Sequence, residues 1–186
     1  MSRQTDTAQP YGIELHKHRF AAWAACRAAS VVNCRFGVEQ GRTILEASGF
    51  TASLARPEQL PEPEVMDDTH RRWRASVIGE AEARGLLLTH GVAAKLVNIY
   101  LKSRFVCGGS HDHPRVRCLH PPIDSVLLRT LSALDVGGHR VEWKRATKTR
   151  WSKFSSQQYE RVIALVRDVS KGRPLWAIEE HWSGYQ

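Results

Sequence analysis

Residues 88–102 read LTHGVAAKLVNIYLK, and this stretch decides the fold class. Val92, Ala93, Leu96, Val97, Tyr100 and Leu101 recur at the spacing of one apolar helix face, about 100° per residue. Lys95, Asn98 and Lys102 fall together on another face. Gly91 has no Cβ and lets the chain turn tightly just ahead of the helix. The first N–H groups of such a helix are unpaired and sit at the positive end of its dipole, so a turn of this kind can hold a phosphate.

Helical signals continue on both sides. Toward the N-terminus, Asp68 or Thr69 is predicted to cap a helix that runs through Arg84, with Trp73, Val77, Ile78 and Ala81 as its stripe and Gly85 as its stop. Ile13–Ser30 is Ala-rich and reads as a helix turning Leu15, Phe20, Trp23 and Ala24 toward a core. Val31–Ser48 continues helically with breaks near Asn33, Gly37 and Gly41, and Gly49 ends it. Toward the C-terminus, Cys107–Pro122 reads as a loop. Asp124 then opens a helix through Val126, Leu127, Leu131 and Leu134, closed by Gly137–Gly138. A short extended piece is expected within Val136–Trp143. Ser155 and Gln158 have capping-box spacing, and Tyr159, Val162, Ile163 and Val166 follow at helical spacing up to Gly172. Pro174 starts a last short helix with Leu175, Ile178 and Trp182 inward. The sequence has no internal repeat and no set of strands. The expected fold class is mostly α, a compact multi-helix domain.

At 186 residues the chain is long enough for one domain that buries roughly 70% of the surface it exposes when unfolded. The predicted organisation is a disordered N-terminus at 1–12 and a single α-helical domain at 13–186, with an acidic, Pro-rich connection at 57–68. No apolar run approaches the ~20 residues that span a bilayer, so no membrane partner is expected. Met1–Tyr11 lacks the apolar core of a signal peptide, and the four cysteines read as reduced thiols. The expected location is the cytoplasm.

Lys and Arg number 27 against 19 Asp and Glu, a net charge of +8. The balance is uneven. Glu58, Glu62, Glu64, Asp67 and Asp68 lie in the 57–68 connection, and the remainder of the chain carries +13. Arg140–Lys153 is the basic extreme. Arg140, Lys144, Arg145, Lys148 and Arg150 are there interleaved with Trp143, Trp151 and Phe154, the mixture that binds phosphates and stacks on bases. The bland alternative is a solvated loop anchored by its tryptophans.

Gly91–Val92–x–x–Lys95 after a short inter-helix turn, followed by Pro122–Ile123–Asp124 opening a helix, resembles the helix-hairpin-helix DNA glycosylases. The nearest likeness is to their lysine-bearing, 8-oxoguanine-excising branch, over about residues 70–135. The resemblance implies a helix-hairpin-helix-like element whose Gly91, Val92 and Ala93 grip DNA phosphates, with Ala93 where the family has a second glycine. It implies Lys95 as nucleophile and Asp124 as the assisting carboxylate of a glycosylase or glycosylase/lyase in DNA repair. A damaged base would be extruded from the duplex, and neutral Lys95 would attack the sugar C1′ to give a Schiff base. The amine must first lose its proton, through burial or a neighbouring cation such as Lys102. Lys102 and the basic residues above complete the expected DNA-binding set. Bacterial proteins with a comparable Lys–Asn–Tyr–Leu–Lys and Pro–Ile–Asp signature look similar too, and supply no function. Two other classes stand beside the enzyme: a noncatalytic nucleic-acid-binding module, and an α-helical protein whose charge serves an acidic, unidentified protein partner.

Cys107, His111, His113, Cys118 and His120 lie within fourteen residues and are of zinc-ligating type. Their spacing matches no zinc module, so the expectation is no cofactor, with zinc as the alternative. His16, His18 and Arg19 read as surface. Glu179 and Glu180 qualify as a general base only if folding carries them to the cleft. There is no P-loop, no Rossmann glycine pattern and no Ser-His-Asp arrangement.

Overall fold

The computed structural model describes residues 11–184 and is mostly helical, with no β-strand among the described residues. Eight α-helices follow in order: α1 Ile13–Ala29, α2 Val38–Ala47, α3 Met66–Glu82, α4 His90–Leu101, α5 Pro114–Arg117, α6 Ser125–Ala133, α7 Arg140–Thr147 and α8 Ser156–Ser170. No helix is long and apolar enough to cross a membrane. Residues 1–10 of the predicted disordered segment lie outside the described residues. Tyr11 and Gly12 are already in place, with Gly12 as the N-cap of α1.

The helices build two hydrophobic clusters. The first joins α1 to α4 through Ala21, Ala25, Cys26, Ile44, Leu45, Val77, Leu96 and Tyr100. The second joins α6, α7, α8 and the C-terminal turn through Leu127, Leu131, Trp143, Tyr159, Val162 and Leu175. Helix α4 belongs to both. Leu96 and Val97 enter the first cluster and Ala94 enters the second. All but two of its twelve residues, His90 and Ile99, are buried. A helix enclosed on this scale cannot keep its polar face in water, so Lys95 and Asn98 lie in the seam between the clusters.

Several local expectations change. The core face of α1 is Ala21, Ala22, Ala25, Cys26 and Ala29, while Phe20 and Trp23 remain 54% and 50% exposed. Small side chains let α1 lie close against α4, and the larger aromatics face outward. The Cys107–Pro122 loop is largely helical: α4 widens into π-helical turns over Lys102–Ser110, and α5 follows. Val136–Trp143 contains no extended piece; it is a 3-10 turn at Val136–Gly138 running into α7. The acidic connection forms 3-10 turns at Pro57–Gln59 and Pro63–Val65. Helix α3 starts at Met66, which puts Asp67 and Asp68 in its first turn, where the helix dipole favours anions. The Ser155/Gln158 capping box of α8 is present.

Candidate active site

Asp124 is the N-cap of α6, and its two carboxylate oxygens are divided. Oδ1 accepts from the N–H groups of Val126 and Leu127 at 3.0 and 2.9 Å. Oδ2 accepts from Lys95 Nζ at 3.1 Å and from Trp182 Nε1 at 3.0 Å. Capping therefore fixes the carboxylate that meets the lysine. Lys95 is only 6% exposed, and its ammonium lies 5.4 Å from the centre of the Trp151 ring.

Burial holds the Lys95 amine below its usual range, outweighing the opposing pull of Asp124. Burial alone would push the Asp124 carboxyl up. The charge of Lys95, together with the Leu127 and Trp182 N–H donors, outweighs it and holds the carboxyl below its usual range. A second carboxylate arrives from the C-terminal turn. Glu179 contacts Lys102, feels the charges of both Lys102 and Lys95, and is raised by its own burial. Folding therefore brings Glu179 beside Lys102 and within electrostatic reach of Lys95 and Asp124. Glu180 is exposed and pairs with Arg173.

The turn Trp151–Lys153 closes the site. Gly91 N–H donates to the Phe154 carbonyl at 3.1 Å, and Thr89 Oγ1 donates to the Ser152 carbonyl at 2.8 Å. The gap between Lys95, Asn98, Ile123, Trp151 and Tyr159 is too tight to admit water. This corrects the role expected for Gly91, Val92 and Ala93. Their N–H groups are spent on Phe154 O, Thr89 Oγ1 and Thr89 O respectively, and all three residues are buried. Their main-chain donors serve the fold and offer nothing to a phosphate in this arrangement.

No family model matches the chain. The curated proteins and the solved structures likewise contain no match to it.

Behind Lys95 lies a buried polar network that the sequence did not announce. Asn98 Nδ2 donates to the Pro121 carbonyl and to Tyr159 Oη, both at 2.9 Å. Its Oδ1 lies 2.7 Å from His70 Nε2. His120 Nδ1 lies 3.1 Å from Tyr159 Oη, and His120 Nε2 lies 2.8 Å from Asp67 Oδ1. The Asp67 carboxylate can only accept, so the proton of a neutral His120 lies on Nε2, and Nδ1 accepts from the Tyr159 phenol. The guanidinium of Arg74, 1% exposed, stacks on the Tyr159 ring and pairs with Glu160 at 2.8 Å. Asp67 also pairs with Arg167, so α3 and α8 are clamped across the seam. The readable signal was positional. His70 and Arg74 fall on the same face of α3 as Val77 and Ala81, which is polar intrusion into an apolar stripe.

The remaining predicted residues disperse. Lys102 is engaged by Glu179 rather than free for DNA. Arg140 pairs loosely with Asp135 at 3.8 Å, and Lys144 is exposed. Arg145 and Lys148 line a groove of about 740 Å³ between α7 and α8. Arg150 lines a different groove, together with Trp151. The Cys/His set does not converge. His120 is consumed by the network, His113 caps α5, His111 pairs with Asp112, and Cys107 is exposed. Among the described residues no group of three or more His, Cys, Asp or Glu side chains is placed to hold a metal ion. His18 is not simply surface, since it bonds Tyr100 Oη and Glu46.

The network carries a pH prediction. Burial pushes the His70 and His120 imidazoles below their usual value of 6.5. The unfolded chain therefore binds protons that the folded chain refuses once the pH drops below about 6.5, and stability falls with pH there. The slope is at most about 1.4 kcal/mol per pH unit for each histidine. Asp67, held well below its usual range by His120 and Arg167, adds a further loss beginning near pH 4. Urea unfolding midpoints are expected to be level from pH 8 to 7 and to drop between pH 6.5 and 5. A level profile down to pH 5 would contradict the buried neutral assignment.

Proposed function

We propose that the protein acts on DNA as a lysine-dependent base-excision glycosylase, with Lys95 as nucleophile and Asp124 as its electrostatic partner. The observation that carries this reading is the desolvated pair itself: an amine below its usual pKa range, 3.1 Å from a capped carboxylate. A solvated lysine gives up its proton too rarely to be a good nucleophile at neutral pH, and burial lowers that barrier. Once neutral, Nζ attacks C1′ as the glycosidic bond to the base breaks, and Asp124 faces the positive charge that develops on the sugar. The Trp151 turn must swing aside for C1′ to reach Nζ. The positive balance of the chain suits a polyanionic substrate.

Borohydride reduction in the presence of lesion-bearing and abasic duplexes tests this. Wild-type protein should form a covalent adduct stable to denaturation, and Lys95→Gln should form none. A second reading, a noncatalytic DNA-binding module, draws on the closed gap at Trp151 and on the capping duty of Asp124. It prevails if DNA is bound but no substrate in the panel is trapped.

A further inference from the structure

Trp151 also lines a groove of about 410 Å³. One wall is the tight turn after α1, with Asn33 and Arg35. The other is Arg150–Ser152, and Ser125, next to Asp124, completes it. No carboxylate lines this groove. Arg35 and Arg150 are exposed, and neither makes an ion pair with any of the described residues. Other arginines of the described residues are held by carboxylates, for example Arg71, Arg74, Arg115, Arg167 and Arg173. Trp151 is common to this groove and to the gap beside Lys95.

We propose that this groove holds a DNA strand, with backbone phosphates between Arg35 and Arg150 and a base against Trp151. The inference deepens the DNA reading above and rests on it. It moves the phosphate-binding role from the Gly91 turn, whose donors are occupied, to the Arg35/Arg150 groove. Unpaired guanidiniums recognise phosphate by bidentate hydrogen bonds and lose no internal partner in doing so. Serine hydroxyls and the Asn33 amide add neutral donors along the strand. A strand seated there runs past Ser125 and places its sugars beside the wall that screens Lys95. The neighbouring α7/α8 groove is a poorer host for a polyanion, because Glu142 and Asp168 line it and offset the charge of Arg145, Lys148 and Arg161.

The test is binding of a fluorescein-labelled, undamaged single-stranded oligonucleotide, read by anisotropy from 50 to 200 mM salt. No chemistry at Lys95 is needed, so the result is separate from the trapping experiment. Arg35→Gln/Arg150→Gln should weaken binding about tenfold and flatten the slope of log affinity against log salt by about 2. Arg145→Gln/Lys148→Gln should leave both within about twofold. All four side chains are at the surface, and an unchanged thermal midpoint checks that the variants fold. If the second pair carries the loss and the first does not, the strand runs along α7, and the groove is overturned while the DNA reading stands. If wild type fails to bind at 50 mM salt, the groove is overturned, and trapping alone decides the enzyme reading.

Discussion

A Gly91→Ala protein is expected to lose about 3–5 kcal/mol of stability, through overpacking and the loss of buried hydrogen bonds. A Cβ at position 91 would sit 1.8 Å from the Trp151 carbonyl oxygen and 3.3 Å from Phe154 Cβ. The first neighbour is backbone and cannot yield by a rotamer change. The Trp151–Phe154 segment would have to move outward by more than an ångström. That movement breaks the Gly91 N–H to Phe154 bond and the Thr89 to Ser152 bond. It also pulls the Trp151 ring off Lys95. Gly79→Ala is the control. Gly79 is inside α3, and a Cβ added there would meet nothing within 4 Å, so alanine should add about 0.5–1 kcal/mol by helix propensity. Urea unfolding of both variants reads the difference. A Gly91→Ala unfolding free energy within about 1 kcal/mol of wild type would mean that the Trp151 turn is not seated on Gly91.

The same glycine marks what was legible before the structure and what was not. The apolar face of 92–101 identifies α4, and capping chemistry at Asp124 and Ser155 starts α6 and α8 where expected. These signals are local, and local rules read them well. The need for glycine at 91 was legible, but its cause was not. The contact that demands it comes from Trp151, sixty residues away. Helix α1 failed for a related reason. Its aromatics are the larger apolar side chains, yet close approach to α4 favours the alanine face, and only the partner helix decides between the two. A family resemblance singles out Lys95 and Asp124, and their side chains do meet. Trp182, Glu179 and the His70–Asn98–Tyr159–His120 network were hidden, because each joins segments that are distant in sequence. The local clues to the network are the polar intrusions of His70 and Arg74 into the apolar stripe of α3 and of Asn98 into the apolar 92–101 helix.

Removing Asp124 should cost more than removing Lys95, and the asymmetry follows from counting donors and acceptors. Asp124→Ala deletes the cap of α6, about 1 kcal/mol, and leaves the Lys95 ammonium buried without its carboxylate, about 3–5 kcal/mol. What remains near the ammonium is the Trp151 ring face and the field of Glu179. Lys95→Met instead leaves Asp124 with three N–H donors, from Val126, Leu127 and Trp182. The carboxylate stays satisfied, and the methionine chain fills most of the space of the lysine stem. The expected loss is about 1–2 kcal/mol, less than for breaking a fully dependent pair. The double variant Lys95→Met/Asp124→Asn, with asparagine keeping a capping oxygen, should recover most of what Asp124→Ala loses. Urea unfolding of the three variants closes the comparison, and a Lys95→Met loss as large as that of Asp124→Ala would refute it. A loss of only about 1–2 kcal/mol has a further consequence. The ammonium would then add little to the fold for the cost of burying it, so stability would be a weak account of a buried lysine at position 95. The trapping experiment asks what that amine does instead.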